Sequence, residues 1–167
     1  AAVTLGLELS IDFKTIQSSL AEFRGVERRF QVIGRVGDIT VIDDYAHHPT
    51  EIAATLKAAE AVSKNRLVAV FQPHRYSRVK FLADEFVQSL SACDYLILTD
   101  IYAAGEKPID GVSSEELVGR IAALTAKPVV YARKEDVVGH LLKEVKAGDM
   151  VMMLGAGLDS PIVDAFD

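Results

Sequence analysis

Acids, imidazoles and a phenol are concentrated in one short segment, residues 43–51 (DDYAHHPTE), directly after an apolar run. Val41 and Ile42 are typical of the end of a buried strand, and Pro49 with Glu51 is typical of the first turn of a helix. The segment is therefore predicted to form a strand-to-helix turn. In open α/β sheets ligands bind at that edge, outside the carboxyl ends of the strands, so we expect chemistry here.

Two more polar segments follow apolar runs further along the chain. Residues 71–78 (FQPHRYSR) place Arg75 and Arg78 three apart, so that both would share a helix face if a helix starts there. Two guanidinium groups side by side favour a carboxylate or a phosphate, because each offers a planar fork of donors. Residues 99–106 form an acidic loop with a flexible glycine. Since the carboxyl ends of parallel strands lie at one edge of a sheet, we expect the three segments to converge.

The charged pairs in these segments also have structural interpretations. Arg75 and Arg78 could form a solvated helix face or take part in ion pairs, although their position after a strand favours function. Asp43 and Asp44 could be simple caps or turn formers, the commonest use of aspartate before a helix. One of the two aspartates could equally bind magnesium through water, or a ribose hydroxyl.

The adjacent histidines His47 and His48 suggest a metal site, but neighbouring side chains point in different directions. No further His, Cys or carboxylate spacing completes a familiar zinc motif, so we do not expect a metal held mainly by these histidines and assign no residue as a metal ligand. A histidine-rich turn can instead orient a nucleophilic amine, contact an anionic oxygen or hydrogen-bond its neighbours. Residues 155–157 (GAG) resemble half of a dinucleotide fingerprint without its downstream strand and helix, which is weak evidence for a nicotinamide cofactor.

The composition excludes several classes of protein. The 167 residues are 50% hydrophobic with a formal net charge of -6, which fits one domain and argues against a general nucleic-acid binder. No apolar stretch is long enough to span a bilayer or is arranged as a signal peptide. The single cysteine, Cys93, cannot form an internal disulfide. We therefore expect a buried thiol and a cytoplasmic protein.

Helical and strand-like segments alternate along most of the chain. Two strand-like runs, 30–36 and 39–45, flank Gly37 and Asp38, which suit a tight hairpin. Helices and nearly continuous apolar strands then follow: helices at 50–62, 79–90, 114–124 and 135–145, and strands at 67–71, 95–100, 128–131 and 150–154. The pattern predicts an α/β fold, a Rossmann-like doubly wound and mostly parallel sheet with one antiparallel N-terminal hairpin strand.

The first residues look like part of a separate unit. Residues 1–9 read as the middle of an apolar helix without a cap, and Asp12 could cap a second helix that ends near Phe23. The chain therefore looks cut from something larger. We place a domain boundary near Gly25, with residues 1–24 as the tail of a preceding domain plus connector and residues 25–167 as the α/β domain.

Four strings in this order and spacing carry a specific resemblance: GVERRF at 25–30, DDYAHHPTE at 43–51, FQPHRYSR at 71–78 and YAAGE at 102–106. Together they resemble the C-terminal domain of the Mur ligases. The resemblance runs from the opening helix to Gly157, nearly the whole chain. It ends there because the family usually continues into another turn and helix, whereas LDSP follows here at residues 158–161.

The resemblance implies a three-domain, ATP-dependent enzyme of peptidoglycan synthesis. An N-terminal domain would bind the uridine nucleotide sugar, a central ATPase domain would hold ATP and most of the Mg²⁺ contacts, and this domain would close over them. The strings are most similar to the branch that joins L-alanine to UDP-N-acetylmuramate through an acyl phosphate. This chain contains no Gly-x-x-x-x-Gly-Lys-Ser/Thr phosphate loop, so we expect it to be inactive alone. In the intact enzyme its partners would be L-alanine, UDP-N-acetylmuramate, ATP and the other ligase domains. We expect it to bind neither nucleic acid nor a membrane.

The resemblance also divides the candidate site into two ends. At the nucleotide end, Arg29 would face the ATP phosphates as a catalytic residue, and Asp44 and Tyr45 would contact the nucleotide, with Asp44 near the ribose. The other assignments follow: His47 as a catalytic residue that also belongs to the amino-acid end, Arg75 and Arg78 as holders of the amino-acid carboxylate, and His48 and His74 as supporting residues.

Domain closure follows from the same division. Gly25 is a plausible hinge element, though a connector glycine is just as often only a turn, and Arg29 would couple closure to ATP binding. Three other functions stay open. They are a murein-peptide recycling ligase, which residues 71–78 disfavour, a non-catalytic nucleotide-binding Rossmann module, and a metal-dependent hydrolase that uses His47 and His48.

Overall fold

The computed structural model of the protein describes residues 1–23 and 25–157. Two short helices, α1 (Ala2–Glu8) and α2 (Phe13–Glu22), come first. The remaining elements form one α/β unit: β1 (Gln31–Val36), β2 (Ile39–Asp44), α3 (Pro49–Val62), β3 (Leu67–Phe71), α4 (Tyr76–Phe81), α5 (Ala83–Leu90), β4 (Tyr95–Leu98), α6 (Ser114–Leu124), β5 (Val129–Tyr131), α7 (Val137–Glu144) and β6 (Met150–Leu154).

In the described residues, six strands form one sheet in the order β1-β2-β6-β3-β4-β5. The hairpin β1–β2 is antiparallel, with an irregularity in register between Val32 and Gly34, and the other four pairings are parallel. This confirms the predicted mostly parallel sheet with one antiparallel hairpin. Because β6 pairs with both β2 and β3, residues 155–157 lie between the turns that follow those two strands.

Helices cover both faces of the sheet. One face packs against α3, α5 and α6 through buried residues such as Ile52, Phe86 and Ile121. The other face packs against α7 through Val137 and Leu141. The strands are buried from both sides, which accounts for their nearly continuous apolar runs. The resulting layers hold the carboxyl ends of β2, β6, β3 and β4 at one edge.

Two helix predictions were wrong in detail. The single helix predicted at 79–90 is two helices separated at Leu82, whose φ of -118° and ψ of 24° interrupt the regular backbone. The first of them begins at Tyr76, earlier than predicted, directly after Arg75, which has a left-handed conformation with φ of 71°. The helix predicted at 135–145 begins instead as a 3₁₀ turn, Lys134–Asp136, and continues as α7. The strand predicted at 95–100 ends at Leu98.

The N-terminal helices pack against each other as a small separate pair. The carboxylate of Asp12 accepts a hydrogen bond from the Thr15 amide at 3.1 Å, which confirms the predicted cap of α2. Gly6 allows the close approach, because a Cβ atom there would lie 2.6 Å from Cδ1 of Ile16. In the part of the chain that the structure describes, no helix has the length and apolarity to cross a bilayer. Residues 158–161, where the resemblance ends, lie outside the described residues.

Candidate functional site

The segments after β2, β3 and β4 converge, as the sequence predicts. Four rings form a chain across the carboxyl edge of the sheet. The Tyr45 and His47 ring centroids are 5.1 Å apart, those of His47 and His74 are 5.6 Å apart, and those of His74 and Tyr102 are 5.6 Å apart. Residues remote in sequence thus share one surface, which extends from Tyr45 at one end to Tyr102 at the other.

The two aspartates at the end of β2 stabilise the local backbone. Asp44 is buried, and its carboxylate accepts hydrogen bonds from the amides of Phe30 at 2.7 Å and Ala46 at 2.8 Å. Asp43 is also buried and forms an ion pair with Arg28, whose Nε donates to Oδ2 at 3.0 Å. This geometry is that of turn formers. A ribose contact by Asp44 stays a prediction, since a carboxylate oxygen can accept a second hydrogen bond.

Arg28 attaches the connector to the edge of the sheet. Its guanidinium donates to Asp43, to the Gly155 carbonyl at 2.6 Å and to the Ala156 carbonyl at 3.2 Å. Its own carbonyl accepts a hydrogen bond from the Tyr45 amide at 2.7 Å. A role for this residue was not predicted from the sequence, although it stands beside Arg29 in the same string.

Arg29 and Tyr45 form the exposed part of this end of the site. The Arg28 guanidinium carbon lies 5.2 Å from the Tyr45 ring centroid and that of Arg29 lies 5.7 Å away, within range of cation–π attraction. Arg29 is exposed, and Tyr45 is 37% exposed to solvent. A phenol ring close to two cations can contact a planar and anionic ligand.

The start of α3 is held by a capping box. Nδ1 of His48 accepts a hydrogen bond from the Thr50 amide at 3.4 Å, and Oε2 of Glu51 accepts from the amides of His47 at 3.2 Å and His48 at 3.3 Å. Burial alone would raise the pKa of Glu51, but those two amides and the charges of His47 and Arg29 lower it below its ordinary value. Glu51 is therefore a carboxylate, and His48 supports the helix.

The orientation of His47 follows from its partner. Nδ1 lies 3.0 Å from the carbonyl oxygen of Tyr45 and 3.5 Å from the Glu51 carboxylate. A carbonyl can only accept, so Nδ1 carries the hydrogen. In the neutral ring Nε2 is then an unprotonated acceptor. The side chain is partly exposed in the middle of the chain of rings.

His74 and the two arginines form the second end of the site. Nη1 of Arg78 donates to Nδ1 of His74 at 3.1 Å, which leaves the hydrogen of the neutral imidazole on Nε2. Burial and then the charges of Arg78, His47 and Arg75 lower the pKa of His74, so a neutral ring is favoured. Arg75 is exposed and lies just before α4, whereas Arg78 is partly buried inside that helix.

The loop after β4 is bonded to this second end. The Tyr102 amide donates to the Pro73 carbonyl at 2.8 Å, and the Arg75 amide donates to the Tyr102 carbonyl at 2.8 Å. The Glu106 carboxylate accepts from the Ser77 amide at 2.9 Å and from its hydroxyl at 2.6 Å, and these bonds lower the pKa of Glu106. Sequence reasoning missed the Glu106 contact, since its partner is on another element.

The charge of the surface decides what it can bind. Four arginines line it: Arg28, Arg29, Arg75 and Arg78. The carboxylates of Asp43, Asp44, Glu51 and Glu106 are held by amides, a hydroxyl or a guanidinium. Such a surface favours anions, and two separated groups of arginine suit two anionic groups. Within residues 1–23 and 25–157, no three His, Cys, Asp or Glu side chains are grouped closely enough to hold a metal ion.

Comparisons with known proteins agree on one family. A family model described as "Mur ligase, glutamate ligase domain" matches residues 28–157. The UDP-N-acetylmuramate--L-alanine ligase of Geotalea uraniireducens (strain Rf4) is 54% identical over 158 residues, and that of Pelotomaculum thermopropionicum is 47% identical over 158 residues. Each match covers 94% of this chain and 34% of the relative, so the chain spans about a third of the length of these curated relatives.

Solved structures have the same architecture. The UDP-N-acetylmuramate-alanine ligase MurC of Thermotoga maritima matches with a TM-score of 0.75 at 27% identity, over 98% of this chain and 34% of that one. A murein peptide ligase of Psychrobacter arcticus matches with a TM-score of 0.69 at 24% identity, over 98% of this chain and 35% of that one. At that lower identity the second likeness is one of fold alone.

Proposed function

The chain belongs to the Mur ligase family, as its C-terminal domain, and from this premise we propose that it is part of a UDP-N-acetylmuramate--L-alanine ligase. The intact enzyme would use ATP to join L-alanine to the sugar carboxylate during peptidoglycan synthesis. Because the reaction consumes ATP and a uridine nucleotide, the proposed compartment is the cytoplasm. The named activity of relatives about 50% identical supports this proposal, as does the charge of the site.

The reaction has two steps. The muramyl carboxylate attacks the γ-phosphorus of ATP, and the bond from that phosphorus to the β-phosphate oxygen breaks. ADP departs, and an acyl phosphate is formed. The amine of L-alanine then attacks the acyl carbon through a tetrahedral intermediate. Phosphate leaves, the amine loses a proton, and an amide remains. Both steps concentrate negative charge, so cations near the reacting groups stabilise the transition states.

One observation carries the assignment of the amino-acid end. Arg75 and Arg78 lie beside His74, whose Nδ1 is already occupied by Arg78. These cations can hold the carboxylate of an amino acid and leave its amine exposed toward the middle of the surface. His47 lies there, with Nε2 of the neutral ring as an acceptor for an amine hydrogen or, when protonated, a donor to the developing oxyanion.

The nucleotide end is assigned to Arg29, Tyr45 and Asp44. The exposed Tyr45 ring near two guanidinium groups fits a base or ribose next to phosphates, and Arg29 is the more exposed of the two cations. Magnesium fits this chain poorly, because Asp43 and Asp44 are buried and engaged by a guanidinium and two amides. We assign the metal contacts to the preceding domains. Residues 1–24 are proposed to be the end of the central domain plus the connector.

Phosphate release by the full-length protein from the same gene tests the proposal. The assay contains Mg²⁺, ATP and UDP-N-acetylmuramate, and compares L-alanine, the recycling tripeptide and no acceptor. Release that depends on L-alanine is expected. Dependence on the tripeptide alone would instead assign a recycling ligase, and release without acceptor dependence would leave a nucleotide-binding module.

A further inference from the structure

The loop 99–106 is fixed to the amino-acid end although it contributes none of the residues assigned above. A parallel bridge joins His74 to Tyr102, and hydrogen bonds on both sides of it connect Tyr102 with Pro73 and Arg75. Two consecutive left-handed residues, Ala104 and Gly105, turn the chain back so that Glu106 bonds Ser77. The loop is thus held at Tyr102 through its backbone and at Glu106 through its side chain.

The ring of Tyr102 projects from this fixed backbone beside the arginines. It stacks on His74 with an interplanar angle of 22° and a centroid distance of 5.6 Å. Gly157 borders the ring, because a Cβ atom built there would lie 3.7 Å from Cγ of Tyr102. Despite these contacts the side chain is 52% exposed. A large aromatic surface is therefore held in place and left open at the amino-acid end.

The order of the strands in the sheet shows which end of the site lies at which strand. Tyr45 follows β2, His74 follows β3 and Tyr102 follows β4, so the rings run in the order of those strands across the sheet. In the proposed function, on which this inference rests, the nucleotide lies near Tyr45 and the amine of the amino acid faces it. The part of the amino acid remote from the amine then lies toward the ends of β3 and β4, where Tyr102 stands.

We propose that Tyr102 sets the size limit for the side chain of the acceptor amino acid. Its ring can contact a methyl group, whereas a larger side chain would have to displace a ring that is stacked on His74 and attached through a fixed loop. Hydrophobic sites of this kind change kcat/KM by about 10- to 200-fold for each added or missing methylene group. Tyr102 is a specificity-determining residue and takes no part in the chemical steps.

The test compares acceptors within each variant of the full-length enzyme. Phosphate release is measured with L-alanine, L-valine and L-leucine, and the ratio of kcat/KM for L-valine to that for L-alanine is the readout. Tyr102→Ala is expected to raise this ratio by at least about tenfold. Tyr102→Phe, which keeps the ring, should leave it unchanged. Phe81→Ala is the matched control, because Phe81 is an aromatic residue at the end of α4 with 78% exposure.

A ratio within a single preparation is insensitive to partial loss of folded protein. If Tyr102→Ala does not fold, Tyr102→Leu gives the same test with a smaller side chain that still packs on His74. The inference is overturned if the folded variants keep the valine-to-alanine ratio of the parent within about twofold. Failure of the proposed function is distinguishable, since the parent itself would then release no L-alanine-dependent phosphate.

Discussion

At the scale of single residues, two adjacent arginines have different environments. Arg28 is bonded to Asp43 and to two carbonyls after β6, whereas Arg29 is exposed and contacts the Tyr45 ring. The string at 25–30 is enough to single out an arginine pair. The string cannot show which arginine is structural and which is exposed, because the partners of Arg28 lie 15 to 128 positions away in sequence.

We predict that substitution of Arg28 changes the stability of the fold, whereas substitution of Arg29 changes the turnover of the enzyme. Arg28→Ala leaves the buried Asp43 carboxylate without its guanidinium and should lower the free energy of unfolding by about 2 kcal/mol. Arg29→Ala should leave that free energy almost unchanged but lower phosphate release by the full-length enzyme. Urea unfolding and the phosphate assay give the two readouts. Unchanged turnover in Arg29→Ala would remove Arg29 from the site.

Arg78→Lys tests the carboxylate site at the amino-acid end. Lysine keeps the positive charge but loses the planar fork, one arm of which donates to Nδ1 of His74. In the full-length enzyme we expect the KM for L-alanine to rise about tenfold while the KM for ATP stays within about twofold. Equal increases in both constants would contradict the assignment of separate ends.

His74 should make the folded protein sensitive to acid. Burial and the charges of Arg78, His47 and Arg75 lower its pKa in the folded state, so the unfolded chain binds this proton more readily. Stability is therefore expected to fall as the pH drops through the ordinary histidine pKa of about 6.5 toward the lowered value. Urea unfolding at about pH 7.5 and pH 5.5 measures the loss. The loss should be smaller in His74→Gln, and an identical loss in parent and variant would refute this explanation.

At the scale of elements, local sequence predicted most of the structure. The strands at 67–71 and 150–154 and the helix at 114–124 match the observed bounds, since each has a clear apolar period and end signals. The break at Leu82 was missed because both halves of that segment are helical in pattern. The anchoring of the loop 99–106 depends on Ser77 and Pro73, which local patterns cannot reveal.

Two glycine substitutions test how the backbone conformation of a turn and of a helix affects the free energy of unfolding. Gly148 has φ of 86°, and a Cβ atom there would lie 1.9 Å from Nδ2 of Asn65. Gly148→Ala should lower the free energy of unfolding by about 1 to 3 kcal/mol. Gly119 lies within α6 with open space around it, so Gly119→Ala should raise that free energy by about 0.5 to 1 kcal/mol. Thermal unfolding of both variants checks the opposite signs, and a stabilised Gly148→Ala would contradict the turn geometry.

At the scale of the whole molecule, the α1–α2 pair differs from the rest. Its large apolar side chains are mostly exposed, including Leu5, Leu7, Leu9, Phe13 and Phe23. A surface of this kind usually contacts another protein surface. It agrees with the proposal that residues 1–24 belong to the preceding domain of a longer enzyme, and with a chain that spans 34% of its curated relatives.

Residues 1–167 alone are expected to release no phosphate from ATP with UDP-N-acetylmuramate and L-alanine, because they contain no phosphate loop. The full-length enzyme assayed under the same conditions is the positive control. Turnover by the shorter chain would show that ATP is held without that loop.

The position of β6 affects how the domain is made on the ribosome. Among the strands that the structure describes, β6 comes last in the sequence, yet it joins the hairpin β1–β2 to the strands β3, β4 and β5. A nascent chain must therefore keep the facing edges of β2 and β3 apart until residues 150–154 have left the exit tunnel. Unpaired edges of this kind promote aggregation. Protection by a chaperone is thus most valuable between the synthesis of β3 and that of residues 150–154.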